Sequence, residues 1–534
     1  MKEGNPSAPP LQYSTAPRIA ITLQPLGCTL TVEHGTPLLD VLFAQGVEFP
    51  CGGRGRCKGC RVKVLAGELP VTADDSRLLS ARELGEGWRL ACQAIGERDL
   101  SLDLAQWEAT ILADNSRFDF TPRDGLGVAI DLGTTTLVAQ LLDLRTGHVL
   151  AVRTGLNAQA RHGADIMSRI DYSVHRGGQR VLEQSIREQI GGLVSELLGA
   201  ASATTDELRD MVLVGNTAMH QLFCGLDITP LSAHPFEPKT NEVQLFTAKE
   251  LGWHEPSGAS RRSAISQHTT VRFLPGLGSF VGSDLLAGVL ATRMHENPAL
   301  TVLVDLGTNG EIVVGNRERL LCASTAAGPA FEGARISCGM RAATGAISEV
   351  TLAEGRLHCR VIGQMAPRGV CGSGLVDAVA CALDLGLVQP DGKLTIGGTL
   401  ALTPSVSMLQ ADIRELQLAK GAIAAGIRIL LQHWGATPAD VERVWLAGAF
   451  GNYINRASAR RIGLINFPPE KVFPAGNTAL LGAKLALFNL PSEAGGYSAI
   501  RSRTQHVPLN EDPQFMDIYV DEMSFPAGAP GSQA

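Results

Sequence analysis

Four cysteines constrain this chain more strongly than any other feature of its sequence. Three of them lie in the segment CGGRGRCKGC and the fourth lies in RLACQAIG, so that a C-x5-C-x2-C group is separated from a further C by 31 residues. Clustered thiolates need a soft metal. Structural zinc usually takes two C-x2-4-C pairs, whereas three ligands on one glycine-rich loop and one distant ligand are typical of plant-type 2Fe-2S sites. We predict a 2Fe-2S cluster held by Cys51, Cys57, Cys60 and Cys92, with zinc or no metal as the alternatives.

Composition and charge exclude several classes of protein. The chain has 534 residues, enough for three to four domains at about 150 residues each. Lys and Arg number 46 and Asp and Glu number 53, so the net charge of −7 predicts no nucleic-acid partner. No apolar run approaches the ~18 residues of a membrane span, and the start of the chain lacks a signal-peptide core. We predict a cytoplasmic protein with no membrane partner, whose residues 1–17 form a disordered tail.

The segments around the cysteines resemble a ferredoxin domain. Their apolar spacing predicts a helix at 37–46 and strands at 18–23, 28–33 and 61–65. The resemblance implies an amino-terminal β-grasp domain of the α+β class that spans residues 18–100. Residues 101–125 lack a clear period and are predicted to form a linker.

A repeated strand-turn-strand motif follows that linker. VAIDLGTTTLVAQLLDL begins at Val128, and TVLVDLGTNGEIVVG begins at Thr301. Two copies of an apolar strand, Asp-Leu-Gly-Thr and a second strand predict two related α/β halves that face each other. Glycine lets a backbone approach a phosphate closely, and the amides and hydroxyls that follow can donate hydrogen bonds to it. The predicted phosphate contacts are Gly133, Thr134, Thr135, Gly307, Thr308 and Asn309.

An aspartate ends the first strand of each copy. Carboxylates at strand ends can hold a hydrated Mg²⁺ or orient water, so Asp131 and Asp305 are the predicted catalytic pair, with strand-end capping as the alternative. Further acidic candidates are Glu311, Glu332 and Asp165. The motifs G-x4-G-K-[ST] and G-x-G-x-x-G are both absent, which argues against a P-loop or a dinucleotide fingerprint.

A third glycine-rich turn lies in VWLAGAFGNYIN, at residues 444–455. Small residues there would let adenosine lie against the backbone, and the predicted contacts are Gly448, Ala449, Phe450 and Gly451. In this order the three motifs resemble the phosphate-1, phosphate-2 and adenosine motifs of the sugar kinase, heat-shock chaperone and actin superfamily. The resemblance implies a two-lobed, actin-like ATPase of ribonuclease H-like α/β fold that binds ATP and Mg²⁺, with lobes at 126–295 and 296–534. Within the second of these lobes, the apolar residues of DIRELQLAKGAIAAGIRILLQHW recur at helical spacing and predict a long helix at 412–434.

The combination of both parts resembles the reductive activators of corrinoid proteins that carry an amino-terminal cluster. Matching stretches include LNAQARHGADIMSRIDYS (156–173) and FLPGLGSFVGSDLLAG (273–288). The resemblance implies ATP-dependent transfer of one electron from the 2Fe-2S cluster to inactive Co(II), which regenerates Co(I) for methyl transfer. It implies two partners, a corrinoid protein of a methyltransferase system and an external low-potential electron donor. The D-x-H-x-x-G signature of cobalamin binding is absent, so the corrinoid is expected on the partner.

Other functions remain open at this point. One alternative is an ATP-dependent kinase with a redox-sensing ferredoxin domain, and another is an activator of a different low-potential metalloenzyme, such as a radical dehydratase. A chaperone-like binding module with a structural cluster is a further alternative. Whether the chain forms a homodimer is also left open.

Overall fold

The computed structural model describes the greater part of the chain. Three predicted site residues, Cys51, Cys57 and Thr308, lie outside the described residues, as do residues 1–16 of the predicted tail. No helix in the described part is long and apolar enough to cross a bilayer. The described residues are 17–24, 28–43, 55, 60–104, 120–163, 165–253, 265–307, 309–333, 335–340, 342, 345–362, 366–395, 397–451, 453–489 and 497–527.

The amino-terminal part is built around a five-stranded mixed sheet. Its elements are β1 (Arg18–Gln24), β2 (Cys28–Glu33), β3 (Thr36–Pro37), α1 (Leu38–Phe43), β4 (Arg61–Ala66), α2 (Ala73–Leu78), α3 (Ala81–Gly85), β5 (Trp88–Leu90), β6 (Ile95–Gly96) and β7 (Leu100–Leu104). The strand order is β2-β1-β7-β4-β5. Successive side chains of β1 lie on opposite faces of the sheet, so Ile19, Ile21 and Leu23 all lie in the core that they share with α1. The predicted β-grasp fold is confirmed, and β7 continues the sheet four residues past the predicted end at residue 100.

The middle part carries a six-stranded sheet. Its elements are β8 (Leu126–Leu132), β9 (Thr136–Asp143), β10 (Val149–Leu156), α4 (Ile166–His175), α5 (Gln179–Ala200), β11 (Leu208–Gly215), α6 (Thr217–Cys224), β12 (Gln244–Thr247), β13 (Thr270–Phe273) and α7 (Ser283–Thr292). The strand order is β10-β9-β8-β11-β13-β12. β8 is buried along almost its whole length, as expected of a central strand with helices on both faces.

The carboxy-terminal part carries a second six-stranded sheet, of order β23-β22-β14-β15-β16-β24. The predicted long helix at 412–434 is confirmed as α9, which ends at Gly435 in the left-handed conformation that glycine favours (φ 83°). The elements are β14 (Thr301–Leu306), β15 (Gly310–Gly315), β16 (Leu320–Thr325), β17 (Ala346–Ala353), β18 (Arg356–Val361), β19 (Gly369–Val370), α8 (Gly372–Asp384), β20 (Thr399–Ala401), β21 (Ser407–Leu409), α9 (Gln410–Trp434), β22 (Arg443–Ala447), α10 (Gly448–Gly451), α11 (Arg456–Arg461), β23 (Val472–Gly476), α12 (Thr478–Phe488), α13 (Tyr497–Arg503), β24 (Thr504–His506) and α14 (Phe515–Met523).

The two larger sheets share one topology. Each has an antiparallel meander, β8-β9-β10 or β14-β15-β16, followed by two parallel strands, β11 and β13 or β22 and β23. A buried apolar cluster joins the two sheets through α7 and α12. These helices cross so closely that a Cβ on Gly482 would lie 2.0 Å from the carbonyl oxygen of Ala287. The duplicated lobes and their packed interface confirm the predicted two-lobed, actin-like architecture.

Candidate functional site

The carboxylate of Asp131 lies at the end of β8, where the first lobe meets the second. The Nδ2 of Asn477, at the start of α12, donates a hydrogen bond to Asp131 Oδ2 at 2.9 Å. The Oδ1 of Asn477 accepts the Leu480 N–H at 2.8 Å, so this side chain caps α12 while it orients Asp131. Burial raises the pKa of Asp131 to about 6, and the Asn477 hydrogen bond opposes that shift.

Asp305 occupies the corresponding position at the end of β14. β14 runs parallel to β22 and pairs Asp305 with Ala447, so the turn that begins at Gly448 lies beside this carboxylate. A Cβ on Gly448 would lie 2.6 Å from Asp305 Oδ1, and its φ of +80° is one that glycine adopts without strain. The predicted second phosphate turn and the predicted adenosine turn therefore meet at one carboxylate.

Two further carboxylates share this site. Asp284 begins α7, and burial followed by the charges of Asp305 and Asp131 raises its pKa to about 7. Burial and the charges of Asp284 and Asp305 raise the pKa of Glu311, on β15, well above its usual range. Burial and the charge of Asp131 raise the pKa of Asp305 to about 7. The structure thus gathers four partly buried acidic side chains, two from each lobe, into a carboxylate cluster.

The carboxylate oxygens of this cluster suit Mg²⁺ chemically, but among the described residues no three His, Cys, Asp or Glu side chains are placed to hold a metal ion by themselves. Mg²⁺ prefers hard oxygen ligands and usually keeps several waters beside one or two carboxylates and substrate phosphates. The charged groups that shift the pKa of Asp284 are themselves carboxylates, Asp305 and Asp131, so the cluster is rich in negative charge. A bound dication would relieve that repulsion.

Glu311 is only one of several acidic candidates in the sequence, and no sequence motif gives Asp284 a role. Asp284 stands in the stretch FLPGLGSFVGSDLLAG, directly before an apolar helical run. A Gly-Ser-Asp turn that opens a buried helix was the available signal. Two other candidates have structural partners instead. Asp165 Oδ1 caps α4 by accepting the Ser168 N–H at 2.8 Å, and Glu332 lies in a short 3-10 turn.

The first predicted phosphate turn lies between β8 and β9. Gly133 N–H donates to Thr136 O at 3.1 Å and closes the turn. Thr134 Oγ1 accepts the Nδ2 of Asn216 at 2.9 Å, where Asn216 caps α6. In the second turn, Gly307 N–H donates to Asn309 O at 3.0 Å.

The predicted adenosine turn forms the short helix α10 directly after β22. The ring of Phe450 stacks on Phe331 with centroids 4.6 Å apart and planes 17° from parallel. Two residues beyond this helix, Tyr453 packs against the core of the amino-terminal domain. The turn therefore contacts the second lobe, and Tyr453 just after it contacts the ferredoxin-like domain.

Two of the four predicted cluster ligands lie in the described part of the chain and are adjacent. Cys60 is buried directly before β4, and Cys92 lies in the 3-10 turn after β5. The Ala91 N–H donates to Cys60 O at 3.0 Å, which holds the two segments together. Gln93 Nε2 lies 3.4 Å from Cys92 Sγ, as in the N–H···S bonds that tune iron–sulfur sites. This half of the donor set fits a 2Fe-2S cluster.

The fold and these sites define a two-lobed ATPase of the actin and sugar-kinase type joined to a 2Fe-2S ferredoxin domain. Three family models match the chain in succession. Residues 21–96 match the 2Fe-2S iron-sulfur cluster binding domain, residues 126–297 match the RACo middle region, and residues 299–531 match the C-terminal ASKHA domain of RACo.

Named relatives align with three quarters or more of the chain. The corrinoid activation enzyme RamQ of Eubacterium limosum is 31% identical, with 93% of this chain and 97% of that protein aligned. The [Co(II) methylated amine-specific corrinoid protein] reductase of Methanosarcina barkeri is 27% identical over 75% of this chain and 77% of that protein. A solved structure, the reductive activator for corrinoid, iron-sulfur protein, superposes with a TM-score of 0.64 at 26% identity, covering 95% of this chain and 98% of that one. The chain belongs to the RACo family of corrinoid activation enzymes.

Proposed function

We propose that this protein restores inactive corrinoid proteins by passing one electron to Co(II), with ATP hydrolysis, to regenerate Co(I) for methyl transfer. One observation carries the proposal. A single chain joins an iron–sulfur-type domain to a nucleotide-type cleft with a carboxylate cluster, and Tyr453, just after the adenosine turn, packs against the iron–sulfur-type domain. Relatives that align with three quarters or more of the chain are named corrinoid activators or reductases.

The nucleotide would lie between the two lobes with Mg²⁺ beside the carboxylate cluster. Asp131 and Asp305 are the residues that we assign to metal and water, and Asp284 and Glu311 complete the acidic lining. The phosphate chain would meet Gly133, Thr134 and Thr135 of the first turn and Gly307, Thr308 and Asn309 of the second. Adenosine would lie on the backbone of Gly448, Ala449, Phe450 and Gly451.

The cluster would be held by Cys51, Cys57, Cys60 and Cys92. When bound, it supplies a one-electron carrier of low potential, near about −400 mV in plant-type ferredoxins. Each ~59 mV of uphill transfer lowers the equilibrium constant of a one-electron step tenfold, so a still lower-potential acceptor needs another source of free energy. Closure of two lobes around a nucleotide is a motion that can act on a docked partner.

The two lobes are connected where such closure would act. The hydrogen bond from Asn477 to Asp131 crosses from the second lobe to the first, and α12, the helix that Asn477 caps, packs against α7. We further propose a cytoplasmic location and an external low-potential electron donor. The proposed domain boundaries are a tail at 1–17, a ferredoxin domain at 18–100, a linker at 101–125 and lobes at 126–295 and 296–534.

The test mixes the reconstituted, anaerobically reduced protein with a Co(II) corrinoid protein, with and without Mg-ATP. Growth of the Co(I) absorption that requires ATP is the expected result. Cys60→Ser removes a proposed ligand and should abolish this growth, whereas Cys359→Ser changes a half-buried thiol of the second lobe and should retain it.

Co(I) formation of equal rate without nucleotide would overturn the proposal. Phosphorylation of a small metabolite, with no change at cobalt, would favour the kinase alternative. Iron and acid-labile sulfide analysis of both cysteine variants separates loss of the cluster from loss of the fold.

A further inference from the structure

The first phosphate turn is held from behind by side chains of the stretch 157–169. We infer that Arg169, assisted by Asn157, is a positioning residue for nucleotide binding, because it sets the direction in which the peptide groups of this turn point. The inference rests on the proposed ATP site and concerns the residues that build it.

Arg169 is a fully buried arginine on α4. Its Nη2 donates to Thr134 O at 2.6 Å and its Nε donates to Gly163 O at 2.9 Å. Its Nη1 donates to Gln159 Oε1 at 3.2 Å. A buried guanidinium is stable only when its donors are satisfied, and here the acceptors are uncharged oxygens, one of which belongs to the phosphate turn.

Asn157 supplies the two neighbouring bonds. Its Nδ2 donates to Gly133 O at 2.9 Å, and its backbone N–H donates to Thr135 O at 2.9 Å. Three consecutive carbonyl groups of the turn, at residues 133, 134 and 135, are therefore bonded to donors from one side.

Because the trans peptide unit is planar, bonding of a carbonyl also fixes the direction of the N–H group that follows it. In each peptide unit the C=O and the following N–H point opposite ways. Carbonyls of residues 133 and 134 that are held backward must turn the N–H groups of Thr134 and Thr135 to the other side. Within the described ranges these two N–H groups have no hydrogen-bond acceptor. Successive outward N–H groups form an anion-binding concavity of the kind that takes phosphate.

The charge of Arg169 adds to this effect. Burial lowers its pKa to about 10, with the nearby Asp165 opposing the shift, so the guanidinium stays protonated at neutral pH. Its direct hydrogen bonds to oxygen go to uncharged groups, one of which is the Thr134 carbonyl of the turn. Its positive charge therefore lies next to the turn and is not neutralised by a hydrogen-bonded carboxylate. That charge favours a polyphosphate on the opposite side of the turn.

The experiment compares Arg169→Met, Arg169→Lys and Arg187→Met with the unmodified, reconstituted full-length protein. Arg187 is a matched control, because it is a half-buried arginine of the same lobe that donates to Phe223 O at 2.8 Å. Calorimetry gives the Kd for Mg-ATP and Mg-ADP, steady-state hydrolysis gives kcat and KM, and melting without nucleotide reports the fold.

We expect Arg169→Met to raise the Kd for both nucleotides and the KM for ATP by about ten- to hundredfold, as for loss of a charge-assisted hydrogen bond. Arg169→Lys keeps the positive charge and one donor direction, so its Kd and KM should lie between those of Arg169→Met and those of the unmodified protein. Arg187→Met should lower the melting temperature with an unchanged Kd.

An unchanged Kd in a folded Arg169→Met protein overturns the inference. If that variant does not fold, the Arg169→Lys measurement decides, and a Kd equal to that of the unmodified protein overturns it. Failure of the unmodified protein to bind Mg-ATP would instead overturn the proposed function, which keeps the two failures distinct.

Discussion

The two phosphate turns carry nearly the same sequence, yet the structure surrounds them differently. The first, DLGTTT at residue 131, is held by a buried guanidinium and by two asparagine amides, from Arg169, Asn157 and Asn216. In the described part of the second, DLGTNG at residue 305, the side-chain contacts come from hydroxyls of β16. Thr325 Oγ1 donates to Gly310 O at 3.2 Å, and Ser324 Oγ lies 3.5 Å from Glu311 Oε1.

This difference shows how a duplicated motif can be specialised. A charged donor makes a stronger hydrogen bond than a neutral one and holds a peptide direction more firmly, and only the first turn has such a donor in the described part of the chain. We expect the first turn to be a preformed cradle for phosphate, and the second to be the side that adjusts when the lobes close. Three predictions test that contrast, from the largest expected effect to the smallest.

The acidic residue of each turn should be indispensable in spite of this contrast. Asp131→Asn and Asp305→Asn each remove a charge from the carboxylate cluster, so kcat/KM for ATP hydrolysis should fall by about a hundredfold or more. Phosphate release measures the effect. Asp165→Asn changes an exposed helix cap and should stay within about twofold. Normal hydrolysis by either cluster variant would show that the two turns do not share the metal.

The lobe that carries the first turn should be the more acid-sensitive one. Burial lowers the pKa of His220, on α6, to about 4 from a usual 6.5. As pH falls from 6.5 towards 4, the imidazole of His220 becomes protonated in the unfolded chain while it stays neutral in the folded protein. The free energy of unfolding therefore decreases over this pH range. The loss is on the order of 3 kcal/mol for a group that is 1% exposed.

Denaturant unfolding of the unmodified protein and of His220→Gln across this pH range measures the effect. The imidazole packs edge-on to Phe273 with centroids 4.9 Å apart, so both proteins must be compared at each pH to cancel the packing change. The variant should show the flatter pH profile. Parallel profiles would mean that the imidazole titrates normally in the folded protein.

The hydrogen bonds that support the two turns should contribute differently to Mg-ATP binding. Asn157→Ala removes the donor to Gly133 O, and we expect about tenfold weaker Mg-ATP binding because the freed carbonyl no longer holds its peptide direction. Thr325→Val removes the hydroxyl donor to Gly310 O and should weaken Mg-ATP binding by less than about threefold. Calorimetry gives the Kd of both variants for Mg-ATP, and equal losses of affinity would show that the two turns are supported to the same extent.

Much of the fold and part of the site were predictable from local patterns. The alternation in RIAITLQ and the spacing in DIRELQLAKGAIAAGIRILLQHW predicted a strand and a helix that the structure confirms. The repeated Asp-Leu-Gly-Thr predicted two hairpins, because a strand, a glycine turn and a return strand involve only near neighbours in the chain. The assignments of the cluster cysteines and of the nucleotide-contacting residues stay predictions.

Other parts of the site depend on contacts between segments that are far apart in the chain. Asp284 belongs to a helix far from both hairpins in the chain, and it joins the carboxylate cluster only because α7 begins beside the ends of β8 and β14. Asn477 looked like an ordinary helix cap, and nothing near it in the sequence indicates that its amide reaches Asp131. Arg169 lies in a stretch that matched a family, and the sequence pattern assigned it no role.

By itself, the sequence of this protein determined its two kinds of chemistry, thiolates spaced for a 2Fe-2S cluster and paired acidic turns spaced for a nucleotide. Both depend on short-range geometry within one loop or hairpin. The tertiary structure alone decided which groups orient those turns, since the donors to Thr134 and Asp131 come from 35, 82 and 346 residues away. Hydrogen bonds and buried charges depend on distance in space, and packing of the lobes, rather than spacing along the chain, sets that distance.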